Sequence, residues 1–317
     1  MFTSGGSEAV ASAIRGVADR AAPHRRRIVV SAIEHSSVLD AARALTSGGF
    51  EAVEVPCERS GRIDRDRFAA QLDERTALAC LQAANNETGV LQPVAEVGAA
   101  CRAAKVPFLV DAVQAAGKIP IDREGWCADL LALSSHKLGG AQGAGALIVR
   151  DGLAIAPLIA GGAQERRRRG GTEAIAALAS FGAACAAAAR DLVDEPARLL
   201  ALRLRLESAF RAMAEGVRIH GEDVPRLPNT VNAAFPGVSG ETLVIALDLA
   251  GFAVSTGSAC ASGAVTPSHV IRAMGYDDEE ARGAVRVSLG WSTTGDTIEQ
   301  FLAALPPLLA RATMAGR

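Results

Sequence analysis

Residues 1–150 alternate between β-rich segments and helical patterns, and this alternation limits the possible folds more than any other feature. The strand-like segments are "RIVVSAI" (27–33), "FEAVEVP" (50–56), "TALACLQA" (76–83), "VPFLVD" (106–111), "ADLLALSS" (128–135) and "GALIVR" (145–150). Amphipathic patterns with helical spacing separate most of them, as in residues 65–73 and 93–104. Such alternation is typical of an α/β domain with a mostly parallel sheet.

The remainder of the chain has a different pattern. Long helical stretches rich in Ala, Leu and Arg run from about residue 173 to 215, and shorter strand-like and helical segments follow. We therefore predict a large α/β domain over residues 1–195 and a smaller α+β domain over 196–317. The first helical pattern, Ser7 to Ala21, has nothing before it to serve as a first strand. The large domain is therefore expected to lack its N-terminal segment.

The composition excludes several classes of protein. Hydrophobic residues make up 49% of the chain and charged residues 21%, so a substantial core can form. The net charge of −2 provides no general attraction for nucleic acid or membranes. The longest uncharged stretch, 174–189, is shorter than the roughly 20 residues of a membrane span. No signal peptide is visible, and six cysteines without a CxxC pattern fit a reducing compartment. We predict a cytoplasmic protein.

Lysine is scarce in this chain, which contains only Lys105, Lys118 and Lys137 among 33 basic residues. Lys137 lies in "SSHKLGGAQG", directly after a predicted strand. Arginine supplies positive charge as well as lysine does, but it cannot act as an amine nucleophile at neutral pH. The lysine at this position therefore indicates nitrogen chemistry.

Three predicted strands end in polar groups: near Asn86, at Asp111, and at Ser134 to Lys137. The carboxyl ends of parallel strands meet at one edge of a sheet. A lysine beside an aspartate suits pyridoxal phosphate (PLP), with a Schiff base on the lysine and the aspartate holding the pyridinium nitrogen protonated. "SGGSE" at 4–8 opens a helix, and a helix N-terminus binds phosphate.

Each of these features also has a simpler interpretation. Asp111 could cap a helix, Lys137 could be a surface residue, and "SGGSE" could be an ordinary turn. Their joint placement at strand ends favours the site.

Ten motifs then appear in order along nearly the whole chain. They are "TSGGSEA", "EHSSVLD", "NNETGVLQP", "DAVQAAGKIPID", "SSHKLGGAQGAGAL", "GGAQERRRRGGTE", "NTVNAAF", "STGSACASG", "PSHVIRAMG" and "VRVSLG". In these motifs the chain resembles the cysteine desulfurases of the NifS/IscS type, which are class V aminotransferase-like PLP enzymes. The resemblance implies the type I fold of PLP-dependent transferases.

The resemblance also implies a set of cofactor ligands. Lys137 would form the Schiff base, Asp111 would pair with the pyridine nitrogen, and His35 would stack on the ring and help to move protons. The other implied cofactor contacts are Gln114 and Asn86 near the ring hydroxyl, Gly6, Ser7, Ser134 and His136 at the phosphate, and Thr172 at the phosphate of the partner subunit's cofactor. The last contact implies a homodimer.

The implied reaction converts L-cysteine to L-alanine and leaves a persulfide on Cys260. Arg286 would hold the substrate carboxylate as a bidentate clamp, and Asn86 would also face the substrate. The sulfur would pass to a scaffold protein of the IscU/NifU type for iron–sulfur cluster or thio-cofactor assembly. No resident metal is predicted, although Cys260 could ligate a cluster transiently with a scaffold.

Alternatives and departures accompany this resemblance. A selenocysteine lyase or an aminotransferase would share the fold, and a chain without its front could be a remnant that only dimerises or binds a scaffold. Family members carry several dozen residues before "FTSG", and "GGS" stands here where they often have "GAT". The short "SACASG" segment resembles the group that serves iron–sulfur assembly rather than the group with "RxGHHC".

Simpler roles are predicted for the remaining cysteines, histidines and arginines. Inert core positions are expected for Cys57, Cys80, Cys101, Cys127 and Cys185. Structural or exposed positions are expected for His24, His220 and His269. The run Arg166 to Arg169 is interpreted as a basic loop near a dimer interface rather than a nucleic-acid patch.

Overall fold

The computed structural model describes residues 1–257 and 266–314 and divides the chain into two compact units. The first unit contains Met1–Pro56, Ile63–Asn85 and Gln92–Val193, and the second contains Cys57–Arg62, Asn86–Leu91 and Asp194–Arg317. The second unit thus includes two short loop segments from the first half of the chain, which the sequence pattern had not assigned to it.

The first unit is built on a seven-stranded sheet. Its strands are β1 (Phe2–Thr3), β2 (Arg27–Ser31), β3 (Glu51–Val55), β4 (Thr76–Gln82), β5 (Phe108–Asp111), β6 (Leu130–Ser134) and β7 (Gly145–Val149). Its helices are α1 (Gly6–Ala18), α2 (Ser36–Ala44), α3 (Arg65–Ala69), α4 (Val94–Ala103), α5 (Gln164–Arg167) and α6 (Ile175–Asp191), with 3-10 turns at Leu45–Gly48 and Ser135–Leu138.

The strand order is β1-β7-β6-β5-β4-β2-β3. Strands β2 to β6 pair in parallel, whereas β7 runs antiparallel to both β6 and β1. This arrangement confirms the predicted α/β class with a mostly parallel sheet. The expectation that no strand precedes the first helix is wrong, because Phe2 and Thr3 pair with Ala146 and Gly145.

Burial explains why these segments fold as they do. Every residue of β4 is buried, as expected for a central parallel strand with apolar side chains on both faces. Helix α1 buries Val10, Ile14 and Val17 in the same core as β2 and β4, which accounts for the helical spacing of its apolar residues. Its bounds are shorter than predicted and end at Ala18.

The second unit contains a four-stranded antiparallel sheet in the order β10-β11-β9-β8. Its strands are β8 (Arg218–Ile219), β9 (Thr230–Ala234), β10 (Ser255–Thr256) and β11 (Ala284–Ser288). Its helices are α7 (Glu195–Met213), α8 (Gly240–Leu249), α9 (His269–Ala273), α10 (Asp278–Gly283) and α11 (Gly295–Met314). Phe210, Phe235 and Phe301 meet in its core.

Among the described helices, none is by itself long and apolar enough to cross a membrane; α6 and α7 reach the required length and composition only as a bent pair.

Candidate active site

The carboxyl ends of β5 and β6 form the centre of the candidate site. Asp111 is the last residue of β5, and Ser134 is the last residue of β6. Asp111 pairs in register with Ala132, so β6 continues for two residues beyond the end of β5. The chain then enters the 3-10 turn that carries Lys137. Parallel pairing therefore brings Asp111 and the lysine turn to one edge of the sheet.

Asp111 is a buried carboxylate. Its Oδ1 accepts a hydrogen bond from the backbone N–H of Val113 at 2.9 Å, and within the described residues Oδ2 has no hydrogen-bond donor. Burial raises the pKa of this carboxyl to about 6, although the Val113 N–H opposes the shift. A cationic group placed beside it would favour the charged form. The structure thus contains an acid that accepts a local hydrogen bond and still has an oxygen for a cation.

The surroundings of Lys137 are electropositive. Burial, and then the charge of Lys137, lower the pKa of Lys118 to about 8. The same two causes lower the pKa of the neighbouring His136. Lys118 is thus the amine shifted toward the neutral form, and the shift shows that the charge of Lys137 is close to it. Sequence reasoning did not assign Lys118 to the site, although the scarcity of lysine was a signal that could have done so.

His35 is the N-cap of α2. Its Nδ1 accepts the backbone N–H of Ser37 at 3.1 Å and lies 2.8 Å from Ser37 Oγ. A ring nitrogen that accepts from an N–H carries no proton, so the neutral ring is protonated at Nε2. The helix start therefore fixes both the orientation and the tautomer of this histidine.

Glu34, directly before His35, is fully buried. Its Oε1 accepts from Ser31 Oγ at 2.5 Å and from the backbone N–H of Gln82 at 2.9 Å. Burial raises its pKa to about 8, with a further contribution from the charge of Asp111. This network joins β2 to β4 beneath His35. Sequence reasoning missed it, because a glutamate before a histidine carries no pattern that distinguishes burial from exposure.

Replacing Glu34 with glutamine is expected to flatten the pH dependence of stability. Since the folded pKa of Glu34 is raised, its stabilising contribution is full below the unfolded pKa and declines as pH rises through the folded pKa. Glutamine keeps the accepting oxygen and does not titrate. When the pH is raised from about 5 to about 8, the free energy of unfolding should fall less in Glu34→Gln than in the parent. The difference between the two falls should be on the order of 3 kcal/mol.

Urea denaturation at the two pH values measures this difference. The matched control is Glu124→Gln, because the Glu124 side chain is exposed. Equal pH dependence in the parent and in Glu34→Gln would contradict the prediction.

The N-terminus of α1 supplies backbone donors near the end of β6. Its N-cap is Gly5, with no side-chain cap, and the helix has 13 residues. A Cβ added at Gly6 would lie 2.9 Å from Val113 Cγ2 and 3.4 Å from Ser134 Cβ, so only glycine permits this approach. Ser134 Oγ lies 3.0 Å from His136 Nδ1. The structure thus brings Gly6, Ser134 and His136 together, and Ser7 is exposed in the first turn.

Two other predicted cofactor contacts belong to the first unit. Gln114 lies in the turn after β5 and is partly exposed. Thr172 lines a cavity of about 190 Å³ together with Ser4 and Arg169. Arg169 in turn forms a salt bridge with Glu8 of α1, with 2.9 Å between Nε and Oε1. These contacts connect the Thr172 segment to the start of α1.

Arg286 and Asn86 both belong to the second unit. Arg286 lies on β11, and its Nη1 donates to the backbone oxygen of Asn86 at 2.9 Å. Arg286 Nε and Asn86 Oδ1 are buried polar atoms without a hydrogen-bond partner among the described residues. Buried polar atoms ordinarily have hydrogen-bond partners, so these two atoms indicate a position for a polar ligand.

Cys260 lies outside the described residues. Of the other cysteines, Cys80 and Cys101 are buried as predicted, and Cys57 and Cys127 are partly exposed. The core position predicted for Cys185 is wrong, because it lies on an exposed face of α6. His220 is structural: it is fully buried, and its Nδ1 lies 2.7 Å from Asn232 Oδ1.

A cavity of about 630 Å³ opens at the amino ends of β5 and β6. Arg102, Lys105, Arg123 and Arg150 line it, and none of the predicted site residues does. Cavity volume alone therefore does not locate the candidate site, whose predicted residues lie at the opposite edge of the sheet.

Known proteins resemble this chain in both sequence and architecture. The profile of the class V aminotransferase family matches residues 1–301, so the chain belongs to that family. It is 44% identical over 310 residues to a cysteine desulfurase from Cereibacter sphaeroides, across 98% of this chain and 79% of the relative. A cysteine desulfurase IscS from Clostridium botulinum is 39% identical over 310 residues, across 97% of this chain and 78% of the relative.

A solved structure described as a NifS-like protein superposes with a TM-score of 0.91 at 33% identity, covering 98% of this chain and 82% of that one. Within its family, the chain is thus a cysteine desulfurase of the NifS/IscS type.

Proposed function

We propose that this enzyme uses PLP to convert L-cysteine to L-alanine and transfers the sulfur to Cys260, for delivery to iron–sulfur cluster or thio-cofactor assembly. The observation that carries the proposal is that Asp111 and the Lys137 turn lie at the carboxyl ends of two adjacent parallel strands. The names of the relatives support the same substrate and reaction.

The residues present fit PLP. A pyridinium requires a carboxylate, and Asp111 has one oxygen without a donor in the described part of the chain. A phosphate requires clustered donors, and the α1 N-terminus approaches Ser134 at Gly6, where a Cβ would block it. An aldehyde requires an amine, and Lys137 supplies one close to the buried Lys118, whose pKa its charge helps to lower. These three matches support Lys137, Asp111, Gly6, Ser7, Ser134, His136, Gln114 and Thr172 as its ligands.

Bound PLP would supply an electron sink that stabilises negative charge at the substrate Cα. Lys137 would hold the cofactor and then act as the base that takes the Cα proton. Asp111 would keep the pyridine nitrogen of PLP protonated, because an adjacent cation stabilises the charged form of a buried carboxylate. His35, with its proton on Nε2, would donate that proton rather than accept one in the resting state.

Arg286 and Asn86 would bind the substrate. Arg286 Nε, which has no partner in residues 1–257 and 266–314, is a guanidinium donor suited to a carboxylate, and Asn86 Oδ1 is an acceptor suited to an ammonium group. An α-amino acid carries both groups. Cys260 would attack the substrate sulfur as a thiolate. The new S–S bond forms as the substrate Cβ–S bond breaks, and the electron pair of that bond goes to the carbon that is protonated to the methyl group of alanine.

A homodimer is part of this proposal. Leu158, Ile159 and Ile175 are large apolar side chains that remain exposed, and Ile175 is 71% exposed. They lie on either side of the segment that carries Thr172. An exposed apolar patch favours a protein interface, and the position of Thr172 supports a contact with the cofactor of a second copy.

The test is to purify this chain with PLP, record its visible spectrum, and supply L-cysteine with and without a thiol reductant. We expect a visible absorption band, alanine formation, and a persulfide on Cys260 detected by mass spectrometry before reductant is added. Alanine and released sulfide should then form in equal amounts. Alanine without persulfide would favour a different class V reaction, and a folded dimer without the band would contradict the proposal.

A further inference from the structure

Glu87 is a buried carboxylate of the second unit that the proposed reaction does not use. Its backbone oxygen accepts from Asn232 Nδ2 on β9 at 3.3 Å. The preceding residue, Asn86, is held by Arg286 on β11. The Glu87 side chain is 2% exposed, and its Oε2 accepts a hydrogen bond from Ser268 Oγ at 2.5 Å. The Glu87 segment is thus fixed to two strands, while its carboxylate points to a third element.

Ser268 is the N-cap of α9. Its Oγ accepts the backbone N–H of Ile271 at 3.1 Å while donating its own proton to Glu87. The position at which α9 begins is therefore fixed by a hydroxyl that the Glu87 carboxylate orients. Burial raises the pKa of Glu87 to about 7, and the charge of Arg286 opposes the shift by favouring the carboxylate.

Gly257, which directly follows β10, passes against the same carboxylate. A Cβ added at Gly257 would lie 2.4 Å from Glu87 Oε2 and 3.0 Å from Ser268 Cβ. Atoms do not approach so closely, so the contact requires glycine at this position. One carboxylate oxygen therefore meets both the end of β10 and the start of α9.

The chain between Gly257 and Ser268 includes Cys260. We propose that Glu87 is a positioning residue that anchors both ends of this segment, and so sets where the chain bearing Cys260 leaves β10 and enters α9. The proposal rests on the proposed function in one respect, that Cys260 is the nucleophile. The anchoring contacts themselves are independent of that role.

A double-mutant cycle between Glu87→Ala and Gly257→Ala tests the anchor. The first readout is the rate at which iodoacetamide alkylates Cys260 in the full-length protein, followed by peptide mass spectrometry. Each single variant should raise this rate at least about threefold, because one or both ends are released. The double variant should match Glu87→Ala alone. The added methyl group no longer meets a carboxylate, and Ser268, its remaining neighbour at 3.0 Å, is no longer held by Glu87 and can move away.

Two further variants keep the cycle interpretable. Gly290→Ala lies on the same unit, adds a Cβ with no atom within 4 Å, and should leave the rate unchanged. Glu87→Gln retains the side-chain volume and an acceptor for Ser268, so it serves if Glu87→Ala does not fold. In the Glu87→Gln background, Gly257→Ala should still raise the alkylation rate.

The second readout is persulfide formation on Cys260 from L-cysteine. We expect about a tenfold loss in Gly257→Ala with the visible cofactor band retained. Independent, additive effects of the two substitutions, or an unchanged alkylation rate, would overturn the anchor. If the parent formed no persulfide, the proposed function would fail, but the alkylation cycle would still decide whether Glu87 anchors the segment.

Discussion

Replacing Lys137 with arginine is expected to abolish alanine formation and the visible cofactor band together. Arginine keeps the positive charge on a slightly longer side chain, but its guanidinium neither attacks an aldehyde nor accepts a proton at neutral pH. The nitrogen chemistry of Lys137 would therefore be lost while its electrostatic role remains. We expect at least about a thousandfold loss of turnover, the combined range of covalent and acid–base contributions.

The matched control is Lys105→Arg, the same substitution at an exposed lysine. It should retain both the band and the turnover. Spectra and alanine assays on the two purified variants provide the comparison. A Lys137→Arg protein with turnover within tenfold of the parent would show that charge, not amine chemistry, explains this lysine.

Much of this site could be predicted because of the topology of parallel sheets. Strand segments such as 76–82 and 108–111 are recognisable by their apolar runs, and the polar residue at a strand end then falls at a known edge. This rule alone was enough to predict that Asp111 and Lys137 lie at the same edge of the sheet. Their joint placement favours a site over a cap or a surface lysine, and the ordered motifs made that prediction specific.

Other features depended on contacts that no local pattern contains. Glu34 and Glu87 are acidic residues in polar segments, yet both are buried because distant strands and a helix cap close over them. The tautomer of His35 follows from the point at which α2 begins, and helix ends predicted from sequence are uncertain by a few residues. Strand β1 was also missed, because its two residues are recognisable as a strand only by their pairing with β7.

Replacing Cys260 with serine is expected to separate the reaction into two parts. If Lys137 acts on the substrate Cα and Cys260 acts on its sulfur, the serine variant should bind PLP and still change its visible spectrum when L-cysteine is added. It should form no persulfide and release alanine at least about a thousandfold more slowly than the parent, because a serine hydroxyl is not ionised at neutral pH.

The matched control is Cys185→Ser, a substitution at the exposed cysteine of α6, which should keep full activity. Persulfide mapping and stopped-flow absorbance distinguish the outcomes. In Lys137→Arg, both the spectral change and the persulfide should be absent. In Cys260→Ser, the spectral change should remain and the persulfide should be absent. Persulfide on another cysteine of the Cys260→Ser protein would mean that a different thiol is the nucleophile. Loss of the spectral change instead would mean that Cys260 acts before the Cα proton is removed.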